Sequence, residues 1–464
     1  NFMNLTIWGA AQQVTGSMHL LETVNYKILI DCGLDYEHDN SLEKNEDFPF
    51  DPAEIDVVVL THAHIDHSGN LPTLIKNGFE GQILCTSPTA ALSELLMLDS
   101  VNIFLKKEKK KVKRGGKNFI KYTKPLYLQK HVMEATERFV TLPFNKAFKI
   151  TGEIEVTFIP VGHLLGAAAV LFEIEENGKK KKIAFTGDVG RKGYPNLQDP
   201  EKIAQVDYLV CESTYGGRIH SDEDLTDVLI KTITDTCIKT PGKLIIPAFS
   251  VGRTQALVYS LNRIFSKGLL PPVQIFVDSP LANYATDVYR RFHALLNKEA
   301  QEFYALEGDQ FEFENLKYIE NLDESKDIAN YYDPCIIVSS AGMLEGGRIQ
   351  DHLYQNLQNY YCTILFIGYC AKGTLGHRLL RGDPVVKVKN RELSVYASIK
   401  QTDCLSGHAD HNDLVATVEQ QSPEILKKVF LVHGDLQRMQ ALQTDLIAKG
   451  YTVEIPKKGI PSVL

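Results

Sequence analysis

The chain has little of what stabilises a secreted or membrane protein. Its eight cysteines, Cys32, Cys85, Cys211, Cys237, Cys335, Cys362, Cys370 and Cys404, form no C-x-x-C pair, and most sit in apolar runs such as YLVCEST. That excludes a disulfide framework and reads as buried free thiols of a reducing compartment. No basic start with a sustained apolar stretch marks a signal peptide. No apolar run approaches the ~20 residues of a membrane-spanning helix. Positive charge is not in excess either. Lys and Arg number 50 against 58 Asp and Glu, a net charge of −8, so total charge announces no nucleic-acid partner. Binding would rest on local basic clusters instead. No low-complexity linker separates domains. Together these absences predict a soluble cytoplasmic protein. The 464 residues are 44% hydrophobic and 23% charged, enough for two or three domains at ~150 residues each.

The first third alternates short β-branched runs with turns: NLTIWGA, MHLLETVNYKILIDCG, IDVVVLTHAH. Such runs bounded by Gly, Asn and Asp read as strands. A helical spacing follows from Ser87-Pro88, a helix start. From about residue 216 the pattern becomes strand, small-residue loop, helix, four times over, beginning at KLIIPAF, VQIFVDS, PCIIVSS and CTILFIG. That alternation predicts a doubly wound parallel sheet, with ligands beyond the carboxyl ends of its strands. After about 395 the chain returns to its first style. The expected architecture is α/β, with a first domain of residues 1–215 and 396–464 and an inserted domain of 216–395.

Polar residues gather where strands end. IDVVVLT precedes His62, His64, Asp66 and His67; VTFIPVG precedes His163; KIAFTG precedes Asp188; KKVFLV precedes His433; YKILI precedes Asp31. One such histidine is more often a satisfied loop residue. Four ligand-type residues in six positions, with more at other strand ends, reverse those odds. Converging imidazoles and carboxylates suit zinc. In an extended loop His62 and His64 point one way while Asp66 and His67 turn elsewhere, so one loop can feed two metals.

With these motifs in this order the chain resembles the metallo-β-lactamase superfamily, and within it the β-CASP branch. THAHIDHSG is similar to the H-x-H-x-D-H motif, DCG to the first motif, GHLLGAA to the third and TGDVG to the fourth. Glu212 in CESTYG, His408 in LSGHAD and His433 in LVHGD match the motifs of the β-CASP branch. The resemblance implies an αββα metallo-β-lactamase sandwich carrying an inserted β-CASP domain. It implies two zinc ions: His62, His64 and His163 on one, Asp66, His67 and His433 on the other, and Asp188 between them. Asp31 resembles a carboxylate that orients the ligand loop. The activity it implies is hydrolysis of RNA to 5′-phosphate and 3′-hydroxyl ends, by endonuclease action first and 5′→3′ exonuclease action second. Asp66 would orient or deprotonate the attacking water. His408 would protonate the departing oxygen, with Glu212 as its partner. Manganese suits the same ligands.

Substrate phosphates call for further donors. Ser250 and Arg253, then Ser339, Ser340 and the Gly342 backbone, then Lys372 and Thr374, lie in small-residue loops before helices. Such loops expose backbone N–H groups that favour anions, although glycine there also serves tight turns. The run KKEKKKVKRGGK at 106–117 is a solvated helix end on one reading and a landing strip for nucleic acid on the other. No RNA-binding module precedes the first motif and no long extension follows the last, so selection would rest on these two domains or on a homodimer. Three rivals remain: a DNA nuclease, a small-molecule hydrolase, and a non-catalytic RNA-processing scaffold. His433, the inserted domain and the complete ligand set argue against them in turn.

Overall fold

The computed structural model describes residues 3–36, 42–107, 111–114, 117–120 and 124–464. The chain forms two compact units. The first comprises the residues up to Lys192 with Asp199–Ile219 and His408–Leu464; the second comprises Gly193–Gln198 and His220–Gly407.

In the first unit two seven-stranded sheets face each other. One runs Pro461–Val463, Asn4–Gly9, Met18–Glu22, Lys27–Ile30, Val57–Val59, Gln82–Cys85, Phe139–Thr141. The other runs Val453–Glu454, Lys428–Val432, Tyr208–Glu212, Lys179–Phe185, Ala168–Glu176, Ile154–Pro160, Phe148–Lys149. Alternate strand residues face inward, as the two-residue period of a strand requires. Leu5, Ile7, Ile28, Ile30, Val57 and Val59 meet Val156, Phe158, Val170, Phe172, Phe185 and Phe430 in one buried core. The other face of the first sheet is covered by helices, with Leu29, Val58, Leu74, Ile83 and Val132 in a second core.

Among the described residues one helix, Ser87–Lys107, is long and apolar enough by composition to cross a membrane. Reading the sequence for unbroken apolar runs misses it, because Glu94 and Asp99 interrupt the stretch. Its Met97, Val101 and Phe104 are buried in the second core, as in the packed helix of a globular unit.

Strand direction concentrates the site. Lys179–Phe185, Tyr208–Glu212 and Lys428–Val432 pair in parallel. Ile154–Pro160 reaches the same direction through two antiparallel steps. Lys27–Ile30 and Val57–Val59 are parallel in the facing sheet.

The second unit holds a six-stranded, wholly parallel sheet in the order Leu316–Tyr318, Gln274–Asp278, Cys335–Ser339, Lys243–Pro247, Thr363–Phe366, Ser398–Gln401. Four of these strands are the expected strand–loop–helix units, followed by helices Arg253–Ser266, Pro280–Arg291, Ile349–Asn356 and Leu375–Leu380. The boundaries differ from the expected ones for a physical reason. Ser398–Gln401 pairs with Thr363–Phe366, so the chain leaves the second unit only after this sheet is complete.

Candidate metal centre

Each polar cluster leaves its strand as the register dictates. His62 and His64 follow Val57–Val59 in extended chain, and a short helical turn, Ile65–Ser68, then carries Asp66 and His67. The Asp31 loop lies tight against that turn. A Cβ on Gly33 would come within 1.7 Å of the Asp66 carbonyl oxygen, so only glycine lets the two backbones approach. Asp31 and His433 both adopt left-handed backbone, φ 61° and 55°. Non-glycine residues in that region cost roughly 1–3 kcal/mol and cluster at functional sites. The His433 N–H donates to the Ala10 carbonyl at 2.8 Å, which helps hold the turn.

Two groups of ligand atoms result, each within 4.8 Å of one another: His62, His64, His163 and Asp188; and Asp66, His67 and His433. In the first, His64 Nδ1 lies 3.2 Å from His62 Nε2 and 3.1 Å from His163 Nε2. Asp188 Oδ2 is 3.6 Å from both His62 Nε2 and His163 Nε2. In the second, His67 Nε2 and His433 Nε2 are 3.1 Å apart, with Asp66 Oδ2 3.3 Å from His433 Nε2. Asp188 Oδ1 lies 3.3 Å from His67 Nε2 and 3.4 Å from His433 Nε2. One carboxylate thus serves both groups, one oxygen each.

The donor set fits divalent cations. Ligand atoms ~2.0–2.1 Å from one tetrahedral ion lie ~3.3 Å apart, close to these separations. The hydrogen bonds behind the imidazoles also leave their inner nitrogens as lone-pair donors. His67 Nδ1 donates to Asp31 Oδ2 at 2.7 Å. Asp31 is itself held by the Thr61 N–H and hydroxyl, each at 2.8 Å. His433 Nδ1 lies 2.9 Å from Thr214 Oγ1, whose hydroxyl donates to the His433 carbonyl. His62 Nδ1 lies 3.1 Å from Thr61 Oγ1. Thr61 and Thr214 escaped the reading of the sequence. The only signal was their place beside the motifs, in LTHAH and CESTYG.

Charge in the cluster is unevenly placed. Burial pushes His62 well below its ordinary range, and His64 to about 4. Burial pulls His67 and His433 the same way, but the carboxylates of Asp188 and Asp66 outweigh it. They hold His67 well above its ordinary value and raise His433 to about 9. Against their own burial, the imidazoles hold Asp66 and Asp188 low. Protons on His67 and His433 thus offset these carboxylates, and a divalent cation would displace them.

Glu212 and His408 adjoin the cluster. The Glu212 side chain is 1% exposed and accepts from the Val189 and Thr214 N–H groups, both at 2.9 Å. His408 Nδ1 lies 3.2 Å from Glu212 Oε1, and its Nε2 is 4.0 Å from Asp188 Oδ2. The ring packs on His163, centroids 4.5 Å apart, and against the edge of Tyr215. All nine of these sequence-singled residues, with Asp31 behind them, gather in the first unit.

The residues assigned to phosphates belong to the second unit. Ser250 Oγ and Ser340 Oγ both meet Ser279 Oγ, at 2.8 and 3.0 Å. Arg253 lies over the Phe249 ring, with Nη1 donating to the Ile367 carbonyl at 3.4 Å. Among the described residues no carboxylate pairs with it. Gly342 lies beside the Phe249 ring. Thr374 caps the helix Leu375–Leu380, and Lys372 is exposed. Ser339 is different: it is buried, and its hydroxyl donates to the Asp278 carbonyl. Within the Lys-rich run 106–117, residues 108–110 and 115–116 lie outside the described residues; Lys111–Arg114 is a strand paired with Lys117–Ile120, and the side chains beyond Lys106 are not described.

Comparison with known proteins agrees with this geometry. Residues 12–208 match the metallo-β-lactamase superfamily, 254–379 the Beta-Casp domain, and 392–456 the Zn-dependent metallo-hydrolase RNA specificity domain. The chain is 29% identical to Ribonuclease TTHA0252 of Thermus thermophilus, over 99% of this chain and 100% of that protein. It is 30% identical to an RNase J-like protein of Methanocaldococcus jannaschii, over 94% of this chain and 93% of the relative. It is also 30% identical to Transcription termination factor FttA of Methanosarcina mazei, over 94% of this chain and 67% of that one. With its site, its domains and these relatives agreeing, the chain belongs to the β-CASP family of the metallo-β-lactamase superfamily, whose members are metal-dependent hydrolases.

Proposed function

We propose that the protein is a zinc-dependent ribonuclease, chiefly an endonuclease with 5′→3′ exonuclease action as a second mode, leaving 5′-phosphate and 3′-hydroxyl ends. The observation that carries this reading is the divided Asp188 carboxylate, with Oδ2 toward one set of imidazoles and Oδ1 toward the other. Such a carboxylate suits two zinc ions, held by His62, His64 and His163 on one side and by Asp66, His67 and His433 on the other. When bound, the ions supply a water acidified toward neutral pH and positive charge against the phosphodiester. The matched RNA specificity domain and the ribonuclease relatives support RNA as substrate.

The residues assigned to proton transfer are those solvent reaches. The Asp66 and His408 side chains are 14% and 16% exposed, whereas Asp188 is 3% exposed. Asp66 orients the attacking water and takes its proton. Glu212, fixed by two backbone N–H groups, holds the His408 ring through Nδ1. His408 Nε2 protonates the departing sugar oxygen. Positioned acids and bases of this kind contribute typically 10²–10⁴-fold. Arg253, which no carboxylate among the described residues pairs with, together with Ser250, Ser340, the Gly342 backbone, Lys372 and Thr374, supports a role for the second unit in gripping the RNA backbone.

The test is incubation of purified protein with 5′- and 3′-end-labelled RNA and the matching DNA, with and without chelator. Expected is RNA cleavage to 5′-phosphate products, abolished by chelator and restored by zinc. Preferential DNA cutting, or cleavage indifferent to chelation, contradicts the reading. Asp31 gives a finer check. Asp31→Ala frees the His67 ring from the carboxylate that sets its tautomer. Zinc affinity should fall about 10–100-fold in a chelator competition, as outer-shell losses typically do. Unchanged affinity would remove Asp31 from the centre.

A further inference from the structure

Beneath the cluster, between the two sheets of the first unit, lies a small cavity of about 10 Å³, the room one water takes. Its walls include His19, Asp31, His67, Asp188, Glu212 and His433. His62, His64 and His163 do not line it, nor does Asp66, so it lies behind His67, His433 and Asp188 on the side toward His19. Two buried polar atoms belonging to its walls have no hydrogen-bond partner: His19 Nε2 and Asp188 Oδ1. Asp188 Oδ1 faces the imidazoles of His67 and His433, but a carboxylate oxygen has a second lone pair. His19 Nε2 has nothing comparable.

The His19 ring hydrogen-bonds the Gly9 carbonyl. With Nε2 unpartnered, that bond falls to Nδ1, which therefore carries the hydrogen. His19 is 5% exposed, and burial followed by the nearby His67 and His433 pushes its pKa down to about 3, so the ring is neutral and Nε2 is an acceptor. Buried acceptors are rarely left empty, and an unsatisfied one costs about 1–3 kcal/mol. A water fits: it donates one hydrogen to His19 Nε2 and the other to Asp188 Oδ1.

We infer that His19 is a positioning residue for the metal centre, holding through one ordered water the carboxylate shared by the two ligand groups. This rests on the metal-centre reading above, and the water is its own addition. Sequence gave no warning, since His19 stands inside the strand Met18–Glu22, away from every motif.

The two ring nitrogens can be tested separately. His19→Asn keeps a donor where Nδ1 stands and removes Nε2. His19→Gln places an amide where Nε2 stands. Zinc is titrated into metal-free wild-type, H19N and H19Q protein against a chromophoric chelator, alongside thermal unfolding of each metal-free form. The expected result is two ions bound by wild type, with the weaker site in H19N losing affinity about 10–100-fold. H19Q should recover most of it, at matched unfolding temperatures. H19N binding both ions as wild type does, or H19Q as weak as H19N, overturns the inference. A wild type that binds no zinc overturns the metal-centre reading and this inference together. If H19N unfolds early, a metal-loaded wild-type crystal structure decides. One water within hydrogen-bonding distance of His19 Nε2 and Asp188 upholds the inference, and an empty cavity overturns it.

Discussion

Asp188→Ala should strip both ions and extinguish cleavage. The expected loss is at least the ~10²–10³-fold that removal of a single charge-stabilising group costs an enzyme. The reason is geometric. The two oxygens of Asp188 lie within 3.3–3.6 Å of four imidazole nitrogens, two in each ligand group, so its loss reaches both groups at once. Alanine leaves one group with three imidazoles and the other with two imidazoles and Asp66. Asp188→Asn preserves the volume and removes the charge, so it should lose metal nearly as badly. Elemental analysis after dialysis is the readout. A fully metallated D188A protein would rule out the shared-carboxylate assignment.

His408→Ala should behave differently. Both ions stay, the fold stays, and kcat falls by about 10²–10⁴-fold, the usual value of a positioned acid. The fold is expected to hold because Glu212 keeps its two backbone donors, Val189 and Thr214, when the imidazole leaves. Substrate chemistry gives a sharper signature. A phosphodiester with a nitrophenolate leaving group needs no proton as it departs, so the defect should shrink on that substrate. Metal loss in H408A, or an equal defect on both substrates, would remove His408 from the role of acid.

Much of this was legible because strand ends are legible. Apolar runs of four to seven residues ending in His or Asp announce both a strand and where its polar tip emerges, and the sheet's parallel pairings then bring the tips together. The four strand–loop–helix units of the second unit were equally plain. What escaped has a physical reason in each case. Thr61 and Thr214 act through a single hydroxyl behind an imidazole, and threonine is common at strand ends. His19 sits within a strand, where periodicity reads it as one more position on a face. The return point near 395 is hard to place from sequence because Ser398–Gln401 is half-exposed edge strand, a pattern that says little about which sheet it joins. Ser339 looked like an anion donor, but a residue at the end of a fully buried parallel strand finds its partners indoors.

Seven side chains, His62, His64, Asp66, His67, His163, Asp188 and His433, converge in the first unit, and the proposal is that they hold a pair of cations. Its most direct test is elemental analysis of freshly purified protein never exposed to chelator. The predicted result is two equivalents of divalent metal per chain, falling toward zero in the Asp188→Ala variant. Wild-type protein that carries no metal, and takes up none when zinc is supplied, would contradict it.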